Sequence, residues 1–190
     1  MAKLFFRYGS MNSGKTALLL QAAYNYEERG MKVVVFKPSV DSKGEKCIVS
    51  RIGLKRKVDH LIKRDEDVLE YVKEKDLDVN CIFIDEAQFL TRKQVDQLMH
   101  IVVEYNIPVI CYGLRTDFLT NGFEGSTRLL EIAHKIKEMK TICKCGRKAM
   151  FNLRKINGVP VFDGNQVAID GKDAITYEAL CPNCYYKYQK

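Results

Sequence analysis

Residues 9–16 read Gly9-Ser10-Met11-Asn12-Ser13-Gly14-Lys15-Thr16 and match G-x-x-x-x-G-K-[ST] at every fixed position. The stretch follows the strand-like segment Leu4-Phe5-Phe6-Arg7-Tyr8 and precedes a helical pattern over residues 16–29, which is the context that this motif requires. Its glycines let successive main-chain N–H groups point at phosphate oxygens, and the helix presents its positive end to the same anion. We therefore expect this loop to bind a nucleoside triphosphate, with Lys15 on the terminal phosphates and Thr16 on Mg²⁺.

Strand-like and helix-like segments alternate through the first 140 residues. Apolar runs at 33–36, 81–84 and 108–112 predict buried strands, while residues 65–75 and 91–105 predict helices capped by Asp65 and Thr91. This alternation predicts an α/β fold with a mostly parallel sheet covered by helices on both faces. After residue 140 the sequence shows short strand-like pieces and an Asn157-Gly158 turn signal. We therefore predict an ATP-binding domain over residues 1–140 and a small C-terminal domain over residues 141–190.

Composition and charge restrict the class of protein. The chain has 190 residues, of which 46% are hydrophobic and 29% charged, a balance typical of globular proteins. No apolar run approaches the roughly 20 residues of a membrane span, and charge interrupts the N-terminus too early for a signal peptide, so we expect a cytoplasmic protein without membrane association. The net charge is +7, and basic residues are most concentrated at residues 51–64. This run lacks aromatic residues for base stacking, which favours a solvated surface over a nucleic-acid contact but leaves both readings open.

An acidic pair follows the predicted strand at residues 81–84. Neighbouring residues at a strand end face different ways, so Asp85 and Glu86 can serve two tasks. We expect Asp85 to hold Mg²⁺ through water and Glu86 to take a proton from the acceptor of the phosphoryl group. One alternative is that Glu86 is only a surface acid. Another is that the run 85–88 is the acidic motif of a nucleic-acid helicase, although such motors ordinarily need a second similar domain.

Four of the seven cysteines form two close pairs in the last quarter of the chain, Cys143-x-Cys145 and Cys181-x-x-Cys184. Four thiolates complete a closed tetrahedral shell, which is typical of structural Zn²⁺. In a reducing compartment such pairing favours metal binding over disulfides. Two disulfides and four free thiols are the alternatives.

These motifs together resemble the thymidine kinase family of the P-loop, zinc-ribbon type, and the resemblance covers nearly the whole chain. It rests on residues 8–15, 24–31 and 85–92, on Cys111-Tyr112-Gly113-Leu114-Arg115-Thr116-Asp117-Phe118, and on Thr141-Ile142-Cys143-Lys144-Cys145-Gly146-Arg147-Lys148-Ala149. Bacterial members carry similar stretches. The resemblance implies transfer of the ATP γ-phosphoryl group to the 5′-hydroxyl of thymidine or deoxyuridine in pyrimidine salvage.

The resemblance also implies site residues for ATP and Mg²⁺. Glu86 stands in the position of the family's catalytic base, and ATP and Mg²⁺ binding falls to residues 9–16, to Asp41 and to the run Asp85-Glu86-Ala87-Gln88. Lys43 stands where the family often has an arginine, so it keeps the charge but not the bidentate fork. Lys15 and Lys43 are therefore further catalytic candidates beside Glu86.

A nucleoside site follows from the same resemblance. The positions that line the family's pocket are Met11, Phe89, Leu114, Phe118, Phe123 and Tyr177, and four aromatic rings suit the stacking of a base. The loop between the cysteine pairs forms a lasso over the base in this family, and here it includes Ala168, Ile169, Asp170 and Gly171. Family members usually have two glycines where this chain has Asp170-Gly171.

The resemblance further implies a homotetramer that is inhibited by thymidine triphosphate, with ATP and thymidine as its small-molecule substrates. Two alternatives belong to other functional classes. One is a zinc-ribbon P-loop ATPase that acts on nucleic acid, and the other is a nucleotide-binding regulator without turnover.

Overall fold

A parallel sheet forms the centre of the molecule in the computed structural model, which describes residues 1–40, 46–166 and 174–189. The strands of the first 140 residues are β1 (Leu4–Tyr8), β2 (Val33–Pro38), β3 (Cys47–Val49), β4 (Lys55–Lys57), β5 (His60–Ile62), β6 (Cys81–Ile84), β7 (Val109–Gly113) and β8 (Lys135–Glu138). Six of them form the sheet in the order β5-β2-β6-β7-β1-β8, all neighbours parallel, while β3 and β4 form a separate hairpin. The predicted α/β fold with a parallel sheet is confirmed.

Helices cover both faces of this sheet. They are α1 (Lys15–Glu27), α2 (Val68–Glu74), α3 (Arg92–Glu104) and α4 (Glu124–Ile132), and a 3₁₀ helix spans Ala87–Phe89. The strand predicted at residues 81–84 is β6, and it is apolar throughout because both of its faces are buried. Its side chains alternate between the two faces, so that Ile82 and Ile84 pack with α2, α3 and α4, while Cys81 and Phe83 pack with α1.

Helix caps could be predicted only in part. Thr91 caps α3 as expected, with its hydroxyl accepting from the N–H of Gln94 in a capping box. The prediction that Asp65 caps the preceding helix is wrong, because Asp67 has the extended backbone and accepts from the N–H of Glu70 at 3.0 Å. Helix α4 and the edge strand β8 were not predicted. Strand β8 reads Lys-Ile-Lys-Glu, since an exposed edge favours charge over apolar residues.

The chain after residue 140 forms small sheets of its own. It contains β9 (Thr141–Ile142), β10 (Lys148–Ala149), β11 (Phe151–Ile156), β12 (Val159–Val161), β13 (Ile175–Leu180) and the short helix α5 (Pro182–Tyr186). Strands β12, β11 and β13 form one antiparallel sheet, and the predicted Asn157-Gly158 turn joins β11 to β12, with both residues at positive φ. A separate apolar cluster includes Leu153, Leu180 and Tyr185. The division at residue 140 remains a prediction.

Among the described residues, no helix combines the length and the apolar character that crossing a bilayer requires.

Candidate active site

The phosphate loop connects the end of β1 to the start of α1, as predicted. Gly14 caps α1 in the left-handed conformation with φ of 76°, and Asn12 also has positive φ at 65°. These two residues curl the main chain toward the N-terminus of the helix. The side chain of Lys15 folds back over the loop, and its Nζ donates to the Ser10 carbonyl at 2.8 Å and to Ser13 Oγ at 3.4 Å. Burial lowers the pKa of Lys15, and the nearby carboxylates of Glu86 and Asp85 oppose that effect.

The acidic pair lies at the carboxyl end of β6, across β7 from the phosphate loop. Asp85 is buried, and Thr16 Oγ1 donates to its Oδ2 at 3.4 Å. Burial, followed by the neighbouring charge of Glu86, raises the pKa of Asp85 to about 7. A hydroxyl and a carboxylate facing each other are the oxygen ligands that Mg²⁺ prefers. The donor set therefore fits a divalent cation between Thr16 and Asp85.

Glu86 has a strained backbone and a fixed side chain. It adopts the left-handed conformation with φ of 52°, which is uncommon for a residue with a side chain and occurs often at functional sites. Its Oε2 accepts from Gln88 Nε2 at 2.5 Å, and Gln88 Oε1 accepts from the N–H of Leu114 at 3.0 Å. Gly113 permits this approach, because a Cβ there would lie 2.8 Å from Gln88 Oε1. The carboxylate is thus held in one orientation by its own loop.

The residues proposed for the nucleoside surround one cavity of about 330 Å³. Its lining includes all six of them, namely Met11, Phe89, Leu114, Phe118, Phe123 and Tyr177. The rings of Phe89 and Phe123 meet edge to face with centroids 5.6 Å apart. Aromatic faces around a cavity of this size suit a flat, small-molecule ring.

A second cavity, of about 350 Å³, lies over the phosphate loop. Its lining includes Gly14, Lys15 and Thr16 from the loop, and Arg51 from the turn between β3 and β4. Three residues, Glu86, Met11 and Leu114, line this cavity and also the cavity of about 330 Å³ lined by the aromatic rings, which is called the nucleoside-type cavity below. Glu86 therefore lies where the two cavities adjoin.

The four paired cysteines form one cluster. The ligand atoms of Cys143, Cys145, Cys181 and Cys184 all lie within 4.8 Å of one another. Cys145 Sγ is 3.6 Å from that of Cys143 and 3.5 Å from that of Cys181. Zn–S bonds of about 2.3 Å require S···S edges of about 3.8 Å in a tetrahedron, so the cluster has the size of a zinc site. All four cysteines are free thiols in this structure.

The protonation of the cluster also suits a metal. A hydrogen bond from the Arg147 main chain lowers the pKa of Cys145 to about 6, whereas hydrogen bonding to the Cys145 sulfur raises that of Cys184 to about 12. One thiolate is thus favoured, while further thiolates at this distance need a cation to offset their repulsion. The cluster is compatible with a bound metal ion.

Comparison with known proteins identifies the family. The family model described as thymidine kinase matches residues 2–185. The chain belongs to the thymidine kinase family. Thymidine kinase of Enterobacteria phage T4 is 49% identical over 95% of this chain and 94% of its own, and thymidine kinase of Streptococcus gordonii is 47% identical over 98% and 97%. Thymidine kinase of Aliivibrio fischeri is 46% identical, with 97% of each chain covered.

Solved structures of replication initiation proteins overlap part of this chain. A replication initiator DnaA bound to AMPPCP and single-stranded DNA overlaps 73% of this chain and 40% of its own, with a TM-score of 0.42 and 18% identity. The family assignment confirms the resemblance that the motifs indicated.

Several predicted thymidine kinase positions fall outside the described residues. These are Asp41 and Lys43 near the phosphates, and Ala168, Ile169, Asp170 and Gly171 in the lasso. Their predicted roles stay predictions. Ala87 and Gln88 are both buried in the 3₁₀ helix, where the Gln88 side chain hydrogen-bonds Glu86 and Leu114, and their role in ATP and Mg²⁺ binding stays a prediction.

Some residues at the site were missed by reasoning from the sequence. Asn152 on β11 is almost fully buried, and its Oδ1 accepts from the N–H of Met11 in the phosphate loop at 2.7 Å. Arg154, two residues later on the same strand, is buried against Phe118. The alternation of polar Asn152 and Arg154 around Leu153 was the available signal, but it is typical of any half-exposed strand.

Several residues of the basic run at 51–64 form ion pairs or line a cavity. Arg56 on β4 forms ion pairs with Glu27 at 2.5 Å and with Asp59 at 3.4 Å, and Arg64 lies 3.5 Å from Glu124. Arg51 lines the cavity over the phosphate loop. The run is therefore divided among several local contacts.

Proposed function

We propose that this chain is an ATP:thymidine 5′-phosphotransferase that forms thymidine monophosphate, with deoxyuridine as a second acceptor, in pyrimidine salvage. Family membership over residues 2–185 supports the reaction class. The observation that carries the proposal is that Glu86 lies on the boundary of two cavities, one over the phosphate loop and one lined by aromatic rings. A hydroxyl and a terminal phosphate placed in these cavities meet beside that carboxylate.

In the proposed reaction, the amides of residues 9–16 and the Lys15 ammonium hold the triphosphate. Glu86 accepts the 5′-hydroxyl proton as the new O5′–P bond forms and the bond between the γ-phosphorus and the β,γ-bridging oxygen breaks. The products are thymidine monophosphate and ADP. Bound Mg²⁺ would neutralise charge that develops on the phosphate oxygens, and Thr16 and Asp85 are the residues that would hold it.

The positions of Gln88 and Leu114 support the role of Glu86. Gln88 Nε2 donates to the carboxylate and thereby fixes its orientation, while Gln88 itself is fixed by the Leu114 amide. A carboxylate with few orientations loses less entropy when it aligns with the hydroxyl. The other candidates, Lys43 and Asp41, are proposed to approach the phosphates on the strength of the family resemblance alone.

For the C-terminal part we propose a structural Zn²⁺ held by Cys143, Cys145, Cys181 and Cys184. The sulfur spacing supports it, and a closed four-sulfur shell leaves no position for substrate. We propose that residues 1–140 act as the ATP-binding domain, while residues 141–190 cover the nucleoside, with the lasso residues 168–171 over the base.

Other parts of the proposal rest on the family resemblance. They are a homotetrameric assembly, inhibition by thymidine triphosphate and a cytoplasmic location. Nucleic acid is not expected as a partner.

The proposed function is tested by ADP release from the purified protein with thymidine, with each of the other deoxynucleosides, with single-stranded DNA, and with no acceptor. We expect release with thymidine and deoxyuridine. Stimulation by DNA alone would favour an ATPase acting on nucleic acid, and tight ATP binding without release would favour a regulator.

Replacement of the proposed base completes the test. We expect Glu86→Gln to lower kcat by about 10²-fold or more while ATP affinity changes less than about threefold, since only proton removal and alignment are damaged. Glu74→Gln, at an exposed position on α2, is the matched control and should behave as the wild type. Unchanged turnover in Glu86→Gln would remove this residue from its role.

A further inference from the structure

Arg154 is a charged residue in an unusually buried position. It lies in the middle of β11, and only 4% of its surface is exposed. A guanidinium is costly to bury unless its donors are paired. Among residues 1–40, 46–166 and 174–189, its hydrogen-bond acceptors are neutral oxygen atoms rather than carboxylates.

Each nitrogen of the Arg154 guanidinium donates a hydrogen bond. Nη1 donates to the Asn165 carbonyl at 2.8 Å, and Nη2 donates to the Gln166 carbonyl at 3.0 Å. Nε donates to the Tyr177 hydroxyl at 3.1 Å. The flat face lies over the ring of Phe118, with Cζ 3.6 Å from the centroid. A planar group with donors at fixed angles is needed to make these four contacts at once.

The groups that Arg154 contacts form one wall of the nucleoside-type cavity. Phe118, Tyr177 and Gln166 all line it, whereas Arg154 is absent from the lining and lies behind them. The Gln166 side chain is held from its other end, since its Nε2 donates to Asp117 Oδ2 at 3.1 Å. Arg154 therefore joins three chain segments that reach the cavity from different parts of the sequence.

We propose that Arg154 is a positioning residue for the nucleoside, which sets the spacing of Phe118, Tyr177 and the main chain at residues 165–166 for a flat base. This inference rests on the proposed function and goes beyond it, because Arg154 acts through its neighbours and contacts no reacting atom. Loss of the guanidinium leaves two carbonyls and a phenol without their donor and removes the surface against which Phe118 lies. The nucleoside site loosens, while the phosphate loop keeps its own contacts.

The test compares Arg154→Met, which keeps the stem, and Arg154→Lys, which keeps the charge, with Lys155→Met. Lys155 is the next residue on β11 and pairs with Glu178 at 2.6 Å, so the control removes a cation from the same strand whose ion-pair partner, unlike the neighbours of Arg154, does not line the cavity. We expect Arg154→Met to raise the thymidine KM about 10- to 100-fold, as loss of charge-assisted hydrogen bonds does, and Arg154→Lys to give a smaller rise. The ATP KM should change less than about twofold in all three variants.

Chemical rescue separates positioning from a general loss of structure. In Arg154→Ala, methylguanidinium at millimolar concentration should lower the thymidine KM again, while methylammonium, which lacks the fork, should not. A fall in kcat with both KM values unchanged, or a wild-type thymidine KM in Arg154→Met, would overturn the inference. If the wild-type protein releases no ADP with thymidine, the proposed function itself fails, which is a different result.

Discussion

Gly125, the second residue of α4, allows this helix and the 3₁₀ helix to pack closely beside the nucleoside-type cavity. A Cβ at this position would lie 2.6 Å from the Ala87 carbonyl oxygen and 2.7 Å from that of Leu90. These oxygens belong to the main chain at the 3₁₀ helix, so they cannot rotate away. Ordinary contact begins at 3.4 Å, and Gly125→Ala must therefore separate α4 from the 3₁₀ helix by about 0.8 Å.

This separation acts on the aromatic rings of the cavity. Phe123 immediately precedes α4 and Phe89 ends the 3₁₀ helix, and their rings meet edge to face. A misplacement near 1 Å can cost about 10²-fold in rate, so we expect Gly125→Ala to lower kcat/KM for thymidine by roughly 10- to 100-fold. That corresponds to about 1.4–2.7 kcal/mol. Overpacking should also lower the free energy of unfolding by about 1–3 kcal/mol.

The assay is coupled ADP release with thymidine varied at saturating ATP, then with ATP varied, together with thermal unfolding. Gly122→Ala is the control, because within the described part of the chain its Cβ would meet only the Thr127 hydroxyl, at 2.7 Å, which can rotate. We expect an ATP KM within about threefold of the wild type in both variants. A lower unfolding temperature in Gly125→Ala with wild-type kcat/KM for thymidine would show that this contact supports the fold but does not place the rings.

Two further predictions concern residues that are proposed to hold metal ions. Cys145→Ser removes one of four clustered sulfurs, so bound zinc should fall below one equivalent by elemental analysis. The thymidine KM should rise more than the ATP KM. Wild-type protein purified without zinc would contradict this prediction. Asp85→Asn removes a buried carboxyl whose pKa is raised from 3.8 to about 7. Because the folded state holds this proton more tightly than the unfolded state, the carboxyl costs progressively more stability as pH rises from 3.8 to about 7. Without nucleotide and Mg²⁺, Asp85→Asn should therefore raise the unfolding temperature more at pH 8 than at pH 5, and an equal rise at both would contradict the burial argument.

Local features of the sequence were sufficient for much of the fold. The phosphate loop, the strand that ends at Asp85 and the Thr91 cap each depend on residues close together in the chain, so their patterns could be read directly. The cap at Asp67 and the edge strand β8 could not, because competing acidic residues and an exposed, charged edge carry no strong local signal.

By itself, the sequence determined the α/β class, the phosphate loop, the acidic pair and the cysteine quartet, since each is written in spacing and residue type. Only the tertiary structure decided that Asn152 holds the N–H of Met11, 141 residues away, and that Arg154 lies behind Phe118 and Tyr177. A polar residue on a strand looks the same in sequence whether it faces water or a buried partner. Its role depends on which distant segment packs against it, and that is a property of the folded chain.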